Sequence, residues 1–98
     1  MSQRFTVQTT ADSTVNICTA PADKIFTVIS VIIDGGENGG ELAFSFDNGA
    51  PMMRYSISSY DVVHLSELNL NINHGEVFKV TGTTDGVTVS VSVLDMAG

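Results

Sequence analysis

The chain has 98 residues, 43% hydrophobic and 15% charged, with four Lys or Arg against eleven Asp or Glu and a net charge of −7. This composition excludes a disordered tail, and the acidity without a basic cluster excludes a phosphate-backbone partner, so no nucleic acid is expected. Apolar runs such as Val31-Ile32-Ile33 are far too short to cross a bilayer, so no membrane is expected either.

One domain over residues 1–98 fits the length. A chain this size buries roughly 60–65% of the surface its unfolded form exposes, which leaves a thin core that contacts with further subunits would extend. Met1-Ser2-Gln3-Arg4 leads into polar residues, which predicts no signal peptide. The single Cys18 has no internal disulfide partner and fits synthesis in a reducing cytoplasm.

In chain order, residues 1–12 are expected as a loosely held or exchanged arm, with a short strand at 5–8 anchored by Phe5 and Val7. Residues 14–18 give the next strand, with Cys18 opposite a Val15/Ile17 face. Residues 24–34 form the longest one. Strict alternation places Ile25, Ile29, Val31 and Ile33 on one face and Phe26, Val28 and Ile32 on the other. A strand apolar on both faces is central or covered by a neighbouring subunit. A flexible acidic loop follows over residues 34–41.

Leu42, Phe44 and Phe46 share a face of the next strand, which Asp47-Asn48-Gly49 ends with a turn. Short strands are expected at 53–57 and 61–65, and only residues 58–68 leave room for a turn of helix. Leu68-Asn69-Leu70-Asn71-Ile72-Asn73 alternates cleanly up to a His74-Gly75 turn. The last two strands, 76–81 and 86–94, are joined through Asp85-Gly86, which supplies the positive φ angles of a tight hairpin. Val87, Val89, Val91 and Val93 all point one way, into the core beside Phe44 and Phe46. Eight or nine short strands without a helical stripe predict an all-β, antiparallel two-sheet β-sandwich of jelly-roll type.

Candidate chemistry is sparse. Asp34, Glu37, Asn38 and Glu41 bring oxygen ligands to a Gly-rich loop, but at no calcium-motif spacing. His64 and His74 lack the His-x-His pair a cupin-like enzyme would need, and Cys18 lacks an electropositive setting. Tyr55 and Tyr60 flank a serine-rich turn and offer rings to a sugar or to a sheet margin. Met52 and Met53 point to opposite sides of a strand, next to Arg54, which suits an interface as well as a core. The expectation is a chain that binds and assembles, not an enzyme, with no catalytic residue, cofactor or metal. Its contact residues would be Phe5, Val7, Met52, Met53, Arg54 and Tyr55.

The order of features over about residues 12–95 resembles small virion structural proteins of tailed phages. Ala20-Pro21-Ala22-Asp23-Lys24 is similar to the lead-in of their long hydrophobic strand, with Asp in place of Gly. Asn73-His74-Gly75-Glu76 is similar to the turn before their final hairpin. Within that group a free-standing acidic domain is most like head-decoration (cement) proteins. That resemblance implies a homotrimer on the outside of the capsid, bridging subunits of the major capsid protein, and a virion localisation. Neck, tail or fibre adaptors share the pattern. A carbohydrate- or calcium-binding module is the reading of a different class.

Overall fold

The computed structural model describes residues 2–46 and 52–97. The expected turn at 47–49 and Pro51 lie outside them. Among the described residues the chain forms nine strands and no helix. These are β1 (Ser2–Gln8), β2 (Ser13–Thr19), β3 (Lys24–Asp34), β4 (Gly40–Phe46), β5 (Met53–Ile57), β6 (Val62–Leu65), β7 (Leu70–Ile72), β8 (Val77–Gly82) and β9 (Thr88–Ala97).

Two antiparallel sheets pack face to face. One runs β1-β9-β3-β6, with β7 also on β3, and the other runs β2-β8-β4-β5. The pairing is nested: β1 with β9, β2 with β8, β3 with both β6 and β7, β4 with β5. The alternation that predicts strands also builds the core. Val87, Val89, Val91 and Val93 are fully buried, facing Phe44 and Phe78, whose rings stack at 5.8 Å. Phe46 is half-buried at the margin, 5.7 Å from Phe78.

Two bulges correct the expected faces. In β3 the register against β9 shifts between Val28 and Ser30. The inserted residue, Ile29, changes the phase of the alternation. Phe26 and Val28 before it and Val31 and Ile33 after it therefore all face the core, while Ile29 is exposed and Ile25 and Ile32 are half-buried. Most of the apparent two-sided apolarity of β3 is thus one face read across a change of phase. A second shift, between Asn16 and Cys18 in β2, brings Cys18 opposite Phe78 and buries both Ile17 and Cys18. Cys18 is therefore not on the side away from the core.

Residues 2–8, expected within an arm, lie as a regular edge strand against β9 of the same chain, from Ser2 opposite Leu94 to Gln8 opposite Thr88. Phe5 and Val7 supply the reason, because they pack on the core and Phe5 sits 5.9 Å from Phe26. The corner at 9–12 is tied down as well. The Thr9 N–H donates to Val87 O at 2.9 Å and its hydroxyl to Thr84 O at 2.7 Å. The Ala11 N–H donates to Asp85 Oδ1 at 2.6 Å, and that of Asp12 to Gly82 O at 2.8 Å. Gly82 is required here, since a Cβ would meet Thr9 at 2.8 Å.

Candidate functional site

The six candidate contact residues fall into two groups. Phe5 and Val7 are half-buried on β1, an edge of the first sheet. Met53 and Tyr55 are half-buried on β5, an edge of the second sheet, with Met52 and Arg54 exposed beside them. β1 packs alongside β2, which is the opposite margin of the second sheet from β5. The structure therefore brings Met52, Met53, Arg54 and Tyr55 together and sets Phe5 and Val7 across the sandwich from them.

The remaining margins differ in kind. β2 carries a bulge, and β6 and β7 are two short pieces of four and three residues on one side of β3. Bulged and very short edges resist pairing with another chain. β1 and β5 are instead paired on one side without a register shift, and among the described residues no strand pairs with their other sides.

The acidic loop is bonded in place. The Gly39 N–H donates to Gly35 O at 2.9 Å, that of Gly36 to Asp34 Oδ1 at 3.0 Å, and Asn38 Nδ2 to Asp85 O at 3.2 Å. Gly39 adopts a φ of 59°, and a Cβ there would lie 2.6 Å from Ile57 O. Among the described residues no three His, Cys, Asp or Glu gather where they could hold a metal. His64 is exposed opposite Ile32 on the outer face of the first sheet, and His74 is exposed in its turn. Tyr60 stands 76% exposed, apart from half-buried Tyr55.

Burial pushes the Cys18 thiol up to about 11, which removes the thiolate a nucleophile needs. The Asp95 carboxylate is held below its ordinary value by the hydrogen bond from Lys24, Nζ to Oδ2 3.3 Å. Gln3 Nε2 donates to the same oxygen at 3.3 Å.

One concavity missed by sequence reasoning lies on the outer face of the second sheet. It encloses about 420 Å³ and is walled by Asp12, Glu41, Arg54, Ser56 and Thr83, with Ala43 and Thr81 at its floor. Ala43 sits between Thr81 and Arg54 in register, so short side chains occupy the middle of the face and longer polar ones its rim. Only the pairing of β4 with both β5 and β8 creates this arrangement, because these positions are far apart along the chain. Comparison with known proteins finds no family model and no curated protein that matches the chain.

Proposed function

We propose that the chain is a structural protein of a tailed-phage virion, attached to the outside of the head, where it stabilises contacts between capsid subunits. It binds and assembles without catalysing a reaction, is made in the host cytoplasm, and works as a homotrimer. The observation that carries this reading is the nested pairing. With β6 and β7 taken as one interrupted strand, the orders β1-β9-β3-β6 and β2-β8-β4-β5 support a jelly-roll assignment. A jelly roll hosts many functions. It supports this one in combination with the virion-protein pattern spread over about residues 12–95.

The open edges favour assembly of a particular kind. β1 and β5 are unlike surfaces on opposite margins, so a contact between them is head-to-tail, and such contacts build a ring when the rotation between copies closes and a filament when it does not. Phe5 and Val7 of one copy would meet Met52, Met53, Arg54 and Tyr55 of the next. The number three comes from the resemblance to decoration proteins. A neck, tail or fibre position is the competing location within the same class.

Electron microscopy of the native particle tests the location, with density for this sandwich expected on the outer surface of the head. Light scattering tests the assembly and should report about three times the 10.4 kDa chain mass. Density confined to the neck or tail would replace the decoration reading with the adaptor one. A monomer at high concentration, with no density on the particle, would overturn both.

A further inference from the structure

The concavity on the β2-β8-β4-β5 face has a volume within the range of small-molecule sites, roughly 300–1,000 Å³. Its walls are held by the backbone before any ligand arrives. Asp12 adopts a φ of 55° and is fixed by its N–H to Gly82 O at 2.8 Å. Glu41 and Thr83 clamp each other, Glu41 N–H to Thr83 Oγ1 at 3.0 Å and Thr83 N–H to Glu41 O at 3.1 Å. Arg54 is set opposite Ala43 in the β4–β5 register.

Four of the rim's five polar side chains are uncommitted, Thr83 being the exception. Among the described residues, the side chains of Asp12, Glu41, Arg54 and Ser56 form no ion pair or hydrogen bond with the rest of the chain. The rim thus offers two carboxylates that accept, one guanidinium that donates, and the Ser56 hydroxyl that does both, over a floor of Ala43 and Thr81. A purely anionic ligand would face two carboxylates, and a purely cationic one would face Arg54. A neutral polyhydroxyl ring satisfies all of them. Adjacent hydroxyls donate to a carboxylate and accept from the guanidinium, and the ring's C–H face rests on the short side chains of the floor.

We propose that this bowl is a carbohydrate-binding site for a neutral sugar residue, with Asp12, Glu41 and Arg54 as its main hydrogen-bonding groups. The proposal does not rest on the virion reading; of its three main groups only Arg54 also lies on the edge assigned there to subunit contact, and Asp12 and Glu41 do not.

The test is an amide chemical-shift titration of the full chain with glucose, galactose, mannose, N-acetylglucosamine and their oligosaccharides. At least one should cause saturable shifts centred on Ala43, Arg54, Ser56, Thr81 and Thr83. Arg54→Ala and Glu41→Gln should each weaken binding roughly tenfold or more. Ala43→Phe should abolish it by filling the bowl. Each variant's amide spectrum reports its folding, and the two rim variants carry the test if Ala43→Phe misfolds. Absence of saturable shifts with every sugar overturns the proposal, as do shifts centred elsewhere. If the same variants instead block attachment to the particle while no sugar binds, the bowl belongs to a protein partner's side chain and the proposal is wrong.

Discussion

The Leu68 N–H donates to the carbonyl of Ile29 at 3.2 Å, and this bond joins the two irregularities of the first sheet. Ile29 is the extra residue of the β3 bulge, and Leu68 lies in the break between β6 and β7. β6 pairs with residues 31–34 of β3 and β7 with residues 26–28, so the break on one side faces the bulge on the other. The edge strand is interrupted where the central strand changes phase, and the bond satisfies a carbonyl that the ladder would otherwise leave unpaired.

Substitutions at Ile29 and Ile33 should separate widely, although strict alternation puts them on one face. Ile29 is 38% exposed and Ile33 fully buried. Ile29→Thr should change stability by about 0.5 kcal/mol or less, the usual range for a surface site. Ile33→Thr loses buried apolar atoms and inserts a hydroxyl into the core, which costs about 2 kcal/mol or more. Urea denaturation of the two variants measures the difference; equal losses would place both side chains on the same face.

Val91 lies between Phe5 and Val31 in register and is fully buried. Val91→Asp should cost several kcal/mol, on the order of the whole stability of so small a domain. The neighbouring Ser92→Asp, on the outer face opposite Arg4, should stay within about 0.5 kcal/mol. Thermal melts read both, and a Val91→Asp protein with a near-normal Tm would refute the assigned face.

The buried thiol makes stability fall in alkali. Folding raises the Cys18 pKa from 9.0 to about 11, so the folded state keeps a proton that the unfolded state loses. Stability from this source is complete below pH 9 and declines as pH rises toward 11. Cys18→Ala should flatten that decline. Ellman's reagent at pH 8 should label wild-type protein only at the rate at which the chain opens, and immediate stoichiometric labelling of folded protein would contradict the burial.

At the acid end the sign reverses. The Asp95 carboxylate, stabilised by Lys24, has a folded pKa below its ordinary 3.8. Its contribution is therefore present above that value and lost as pH falls through the depressed one. Denaturation midpoints of wild type and Asp95→Asn should differ near neutrality and converge in acid. A difference that is constant across that range would assign the loss to packing alone.

The sequence made the strands legible wherever alternation was strict. The four valines of β9 face inward as their spacing predicts, but Asp85-Gly86 closes no hairpin: β8 and β9 lie in different sheets, and of the two residues only Gly86 has a positive φ, 81°. It misled where one residue was inserted. Nothing in Val28-Ile29-Ser30 or Asn16-Ile17-Cys18 announces a bulge, because a bulge is defined by the partner strand, which a single strand's pattern does not contain. The same reason hid the bowl, whose parts come from β4, β5, β8 and the corner before β2. Phe5 and Val7 were legible as anchors, but what they anchor against is β9, at the other end of the pattern.

That last pairing sets a timetable for folding. Gln8 and Thr88 are 80 positions apart, and Gln3 and Asp95 are 92 apart. A ribosome working at about 5–20 residues per second therefore takes roughly 4–16 s to deliver β9 after β1 has been made. Throughout that interval the first strand has its apolar side chains and no ladder, and closing so long a loop is among the slowest steps available to a β-protein. The ladder that holds β1 is therefore among the last parts of the sandwich that can form.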